Sequence, residues 1–372
     1  MRSDVFFKVG LASLALAASA IGAALVDEII VEPQTFPAPF YEPTGSAEPA
    51  YRLDNVLEAS GVQPIGDGRL LLVAHDKKVP FRVIDTATGR QVGLPLCSDR
   101  FPAETPKSSK WEGMAQDSEG NIYAVGSHSG KTQEERDEHA KLIRFHLKTP
   151  AVTDGHPHTV AVDDSSVTSW RLATPLVQAL EHEGLAARAV DQRKIEGLAI
   201  RELPGGAGNP SRRELVIGLR QPDDLVRAFV ADITTTPGPD AELPLARLFA
   251  FEPGEREGVR CQLTSLEYVP AWKGFLAVTA TEDEQNAFHG NTLWFVPDAR
   301  IARGAGALIQ ADKVWTFEAA MKAEGLCVMP PLVGRDEPGT VRVLITYDND
   351  PHATHMPSRF QQVNLIRRSA SH

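Results

Sequence analysis

Cysteine is scarce, with only Cys97, Cys261 and Cys327 in 372 residues. At most one disulfide can form, and Cys327 lies inside an apolar, strand-like run, so disulfides do not hold this fold together. No Cys/His set has the spacing of a zinc site. Positive charge is also in deficit: 38 Lys and Arg against 49 Asp and Glu leave a net −11. That balance excludes a general nucleic-acid binder, which needs basic residues gathered on one face. No Gly-rich stretch follows a strand and opens a helix, and there is no G-x-S-x-G elbow. The usual nucleotide cradles and the serine-hydrolase nucleophile are therefore absent. Apolar residues at 42% and charged residues at 23% are those of a globular chain. The 27 prolines and 29 glycines punctuate it into many short elements.

One long apolar run exists, from Val9 to Val26, after Arg2 and Lys8. It is rich in Ala, Gly and Ser and contains Ala18-Ser19-Ala20, a small-residue cleavage pattern. Charged start, apolar middle and small end predict a signal peptide over 1–20, with an uncleaved N-terminal anchor as the alternative. A periplasmic or secreted chain follows from the first reading, with no membrane attachment after cleavage. Residues 21–50 then read as an extended lead-in, its prolines concentrated in 31–50, and residues 51–372 as a single domain.

That single domain is predicted from internal repetition. Lys110-Trp111-Glu112-Gly113-Met114, Lys194-Ile195-Glu196-Gly197-Leu198 and Lys322-Ala323-Glu324-Gly325-Leu326 have the same form. Ser265-Leu266-Glu267-Tyr268-Val269 and the weaker Val56-Leu57-Glu58-Ala59-Ser60 extend the series. A β-rich run follows each copy after turn residues: Leu70–Ala74, Ile122–Val125, Leu215–Leu219, Phe275–Thr279 and Val341–Thr346. Third and fourth runs follow in most copies. Five groups of about four short antiparallel strands predict an all-β fold, a five-bladed β-propeller, with six blades as the alternative. The last group lacks an outer strand, and Tyr51–Asp54 is placed there to close the ring. Leu176–Gln192 has helical spacing and is read as one inserted helix.

A glutamate at one point of each copy would put a ring of carboxylates around the channel. Such a ring suits calcium, which takes several carboxylate oxygens, or a general acid whose pKa is raised beside ionised neighbours. The structural alternative is as direct. Lys110, Lys194 and Lys322 stand two residues before their glutamates, on the same strand face, ready to neutralise them. Polar groups end the second strand of each copy: His75-Asp76, Ser127-His128-Ser129, Arg220-Gln221, Glu282-Asp283 and Asp348-Asn349-Asp350. They are expected to converge on one face, with Arg220 as the grip for an anionic group. Asp348 to His355 is read as a loop rather than a metal site.

The strings Lys194–Ile200 and Glu214–Pro222 resemble a family of bacterial exported proteins known as domain of unknown function 3616, over roughly Glu58 to Ile366. More distantly, the Glu-Gly-Leu copies are similar to phytase-like propellers with esterase-like activity. The resemblance implies calcium-dependent phosphoester hydrolysis and carries over to Glu112, Glu196, Glu324 and Arg220. Glu267 and Glu58 depart from the pattern, since Tyr268 and Ala59 replace its glycine. The expectation is therefore a monomeric propeller that hydrolyses a phosphoester or related ester of a small anionic molecule. Glu112, Glu196, Glu324 and Arg220 would be catalytic, and Glu112, Glu196, Glu267 and Glu324 would hold calcium. The alternatives are a non-catalytic module binding a sugar, peptide or protein at the same mouth, and a lactonase-like enzyme.

Overall fold

The computed structural model describes residues 28–33, 51–53, 56, 58–75, 81–101, 110–148, 160–205, 211–222, 224–283, 285, 287–304, 307–316, 322–331, 339–348 and 358–368. The predicted signal peptide and the residues Asp76, Asn349, Asp350, His352 and His355 lie outside them.

The chain forms a five-bladed β-propeller of antiparallel sheets. Blade 1 is Ala59–Ile65, Leu70–His75 and Phe81–Asp85. Blade 2 runs outward from Trp111–Gln116 through Ile122–Gly126 and Leu142–Phe145 to Thr168–Ser169. Blade 3 comprises Lys194–Leu203, Arg212–Gln221, Val226–Asp232 and Ala246–Phe251. Blade 4 comprises Val259–Val269, Gly274–Glu282, Phe288–Pro297 and Asp312–Thr316. Blade 5 comprises Lys322–Val328, Thr340–Asp348 and Arg359–Arg368.

The ring closes as a shared blade. Tyr51–Arg52 pairs with Arg359–Phe360, as the sequence led one to expect. A second piece, Glu28–Pro33, continues the same outer edge against Val363–Arg368, within what reads from sequence as lead-in. In blade 1 the fourth position is taken by an irregular segment that touches Phe81–Asp85 through bridges at Leu96 and Gln91.

Side chains alternate along each strand and so feed two interblade cores. Leu71 and Val73 pack with Cys327, Leu344 and Phe360 of blade 5, whereas Leu72 and Ala74 pack with Trp111, Met114 and Phe145 of blade 2. Leu215 and Ile217 face Tyr123 and Trp170, and Val216 faces Leu266 and Phe275. Leu276 and Val278 close the set against Val343 and Ile345. Each blade is thus apolar on both faces, which is why its middle strand reads as a continuous apolar run.

The predicted single helix over 176–192 is two, Ala173–His182 and Ala187–Asp191. Gly184, at φ +79°, turns the chain between them. All three cysteines are free thiols, Cys261 and Cys327 buried and Cys97 exposed.

Candidate functional site at the channel mouth

Every inner strand carries a β-bulge, near its start in four blades and midway along Val259–Val269 in blade 4. The extra residue is Ser60, Glu112, Glu196, Thr264 or Glu324, lying between register shifts at Ala59/Gly61, Trp111/Gly113, Ile195/Gly197, Leu263/Ser265 and Ala323/Gly325. A bulge kinks the strand and re-aims one side chain. The residue after it must then be small, because it abuts the next blade. A methyl on Gly113 would lie 2.8 Å from Leu198 Cβ, and one on Gly197 would lie 2.7 Å from Leu266 Cβ. In blade 4 the small residue is Ser265, whose hydroxyl accepts from Leu326 N at 3.1 Å.

These bulges correct the ring read from sequence. Glu112, Glu196 and Glu324 are equivalent, but their counterparts in blades 1 and 4 are Ser60 and Thr264, not Glu58 and Glu267. Thr264 is buried and donates to Ala323 O at 2.8 Å. Glu58 falls two residues before its bulge, level with Lys110, Lys194, Gln262 and Lys322. Glu267 falls three residues beyond, level with Gln63, Ala115, Ala199 and Cys327. The x-small-apolar strings Ser60-Gly61-Val62 and Thr264-Ser265-Leu266 carry the signal that matching glutamate to glutamate passes over.

At the mouth seven charged side chains form one chain across blades 2 to 5. Lys194 Nζ lies 3.7 Å from Glu112 and 2.5 Å from Glu196. Arg220 joins Glu196 at 3.3 Å to Glu282 at 2.6 Å, and its Nε donates to Gln262 at 3.1 Å. Lys322 then joins Glu282 at 3.4 Å to Glu324 at 3.0 Å. Two carboxylate–lysine–carboxylate triplets are therefore linked through one guanidinium. All seven side chains are at most a quarter exposed.

The electrostatics follow from this pairing. Burial works against the charged form of Glu196, yet Lys194 and Arg220 more than offset it and hold its carboxyl below the usual range. Glu282 is likewise lowered against its burial by Lys322 and Arg220. Glu324 is the main cause of the raised pKa of Lys322. Burial lowers that of Arg220, but Glu196, Glu324 and Glu282 outweigh it and raise it. Glu196 and Glu282 are thus carboxylates at neutral pH, faced by the charged Lys194, Arg220 and Lys322.

Of the predicted convergent groups, Arg220 and Glu282 enter the chain. Ser127 instead accepts from Ile195 N at 2.8 Å and ties blade 2 to blade 3. His128 is wholly buried, and that burial lowers its pKa to about 3, so it is neutral. Gln63 and Gln262 carry no sequence signal of their own.

Deeper in the channel, Gln63 Nε2 donates to Met114 O and to Glu267 Oε2, both at 3.1 Å. Burial pushes the Glu267 carboxyl up to about 8, with Gln63 opposing the shift. On the opposite face, a cavity of about 500 Å³ includes Ser118, Glu119, Glu202 and Arg213 in its wall. There Arg213 is engaged by Asp117 at 3.3 Å, Glu119 at 2.9 Å and Glu202 at 3.1 Å, bracing blades 2 and 3.

The donor set expected for calcium does not fit that ion. Glu267 is removed from the other three, and the cation positions between Glu112, Glu196 and Glu324 are filled by Lys194, Arg220 and Lys322. Among the described residues no group of three or more His, Cys, Asp or Glu is disposed around one point. Nor is Arg220 open to an anionic substrate, since it already serves two carboxylates and Gln262.

No protein-family model matches the chain, and no curated protein matches it. Solved structures do. Kuenenia stuttgartiensis hydrazine synthase is 10% identical over 88% of this chain, at a TM-score of 0.33, and the match spans 66% of that chain. An alpha-L-arabinofuranosidase from Lactobacillus brevis is 12% identical over 83% of this chain and 92% of its own, at 0.42. A calcium-binding regucalcin from Agrobacterium tumefaciens is 12% identical over 86% of this chain and 97% of its own, at 0.36. At these identities the likeness concerns the fold alone.

Proposed function

We propose that this propeller binds a neutral, polyhydroxylated ligand at the channel mouth without a metal ion. The observation that carries the reading is the alternating ion chain from Glu112 to Glu324, four carboxylates and three cations in contact order. A hydroxyl both donates and accepts, so it suits a position between a carboxylate and an ammonium. An anion would meet cations already neutralised and four carboxylates beside them. A cation would meet the reverse. A buried ion chain is weak evidence for stability alone, since apolar residues fill such space as well.

Thermal melting of the full chain with neutral oligosaccharides, inorganic phosphate or calcium tests this. A rise with an oligosaccharide, lost in Glu196→Gln, is the expected result. A rise with phosphate or calcium alone would overturn it.

Glu267 favours a hydrolytic version as the second reading, because its carboxyl keeps a proton up to about pH 8 and so could serve as a general acid. The metal-assisted phosphoesterase expected from the resemblance needs an open cation position. Chelator-sensitive turnover of p-nitrophenyl phosphate would restore that reading.

A further inference from the structure

Arg193, the residue before the inner strand of blade 3, is a buried cation without a counter-ion. It is 5% exposed; its Nη1 donates to Val190 O at 3.1 Å, and its Nε has no hydrogen-bond partner. Among the described residues no carboxylate lies within ion-pair distance of it, and Asp191 and Asp137 act on it from farther off. The buried arginines within blade 3, Arg201, Arg220 and Arg227, each meet a carboxylate at 3.3 Å or less. Burial and the charge of Arg136 hold the Arg193 pKa below its usual value, whereas carboxylates raise that of Arg220.

Beside it stands His128, 0% exposed and at φ +54°, a conformation glycine adopts freely and histidine at a cost. Neither ring nitrogen has a hydrogen-bond partner. The Lys141 carbonyl acts on the ring but lies outside hydrogen-bond geometry, and it already accepts from Gly126 N at 2.9 Å. His139, also buried, donates from Nδ1 to Ser129 O, and its Nε2 is unpartnered. Lys141 is buried with its ammonium 5.0 Å from the Trp111 ring. Bonds from His128 N to His139 O at 3.2 Å, and from Ile195 N to Ser127 O at 2.8 Å, draw these segments together.

We propose that Arg193 and His128 hold a small monovalent anion of chloride size between the 127–141 connection of blade 2 and the start of blade 3.

A buried charge is stable only when it is paired. A water molecule would satisfy the orphan nitrogens but leave the guanidinium unmatched. The Nε of arginine always carries a hydrogen, and the neutral imidazole of His128 supplies a second donor. Arg193, His128, His139 and Lys141 are each at most 6% exposed, so the ion must be compact and must shed its water on entry. That favours a halide over phosphate or sulfate, whose desolvation costs more. Lys194 of the mouth is the next residue, so an ion here braces the strand that carries it. This inference does not depend on what the mouth binds.

Thermal melting of the full chain in sodium chloride against sodium methanesulfonate, at equal ionic strength, tests the site. The rise with chloride is expected to saturate, and ten times the half-saturating concentration to shift the folding equilibrium about ten-fold. Arg193→Met keeps an apolar stem without the charge and is expected to melt equally in both salts. Equal melting of the native chain in both salts, or an undiminished chloride effect in R193M, would overturn the proposal. Bromide-soaked crystals of the native protein give a check that needs no variant. An anomalous peak in contact with Arg193 Nε supports the site; peaks on surface cations alone, adventitious ions only, sink it.

Discussion

Arg220 shows how much one side chain organises here. It contacts Glu196, Glu282 and Gln262, and it is the link between the two lysine triplets. Arg220→Met leaves buried Glu196 and half-buried Glu282 with Lys194 and Lys322 alone, and removing one side of a buried pair costs at most about 3–5 kcal/mol. Urea unfolding is expected to show a loss of that order, and a loss under 1 kcal/mol would mean the links are independent. Stability against pH carries two opposite signatures. Glu196 and Glu282 have lowered pKa values in the fold, so their contribution is present above the unfolded value of 4.5 and is lost as acid protonates them. Glu267 is raised, so the folded state holds its proton when the unfolded chain has lost it. Stability must then fall as pH climbs from about 4.5 toward 8. The melting temperature of the native chain is expected to decline across that window, and E267Q is expected to decline less. Equal slopes would remove Glu267 as the cause.

The bulged inner strand is the element that decides the site, and it is only half written in the sequence. Lysine two residues before glutamate was legible and gives the pairs Lys194–Glu196 and Lys322–Glu324. The level of each residue was not, because a register shift depends on backbone pairing and not on matching letters. Glu58 and Glu267 resemble the other glutamates in their neighbours, yet fall on different tiers of the channel. Gln63 and Gln262 act through positions that only the assembled ring creates. The residue after the bulge offers a clean test of this element. Gly113→Ala would drive its methyl against Leu198 Cβ and N at 2.8 and 3.0 Å, and overpacking of that kind costs about 1–3 kcal/mol. Gly66→Ala has open space but a left-handed φ of +60°, so its cost is about 1 kcal/mol of backbone strain alone. Denaturation midpoints are expected to rank native above Gly66→Ala above Gly113→Ala.

At the scale of the molecule, five sheets were foreseeable because their middle strands are apolar on both faces, as Leu70–His75 and Arg212–Gln221 are. The closing edge was only partly so. Tyr51–Arg52 looks like the other fourth strands, whereas Glu28–Pro33 reads as part of the extended lead-in. Removing the residues before Tyr51 would strip Arg359–Arg368 of that partner and expose an unpaired edge. The shortened chain is expected to melt lower and to self-associate in size-exclusion chromatography as concentration rises. An unchanged elution volume and melting temperature would show that Tyr51–Arg52 alone suffices.

The ring has near fivefold repetition, but Ser60 and Thr264 stand where the other three blades present glutamate. A mouth with five equal walls would offer a guest five equivalent rotational settings and could not tell them apart. Three ions, one hydroxyl and one buried threonine make the five settings unequal. A gap of about 1 kcal/mol, a little over RT ln 5, is enough to favour one of them over the rest combined. A guest bound at this mouth would therefore meet five unequal settings rather than five interchangeable ones.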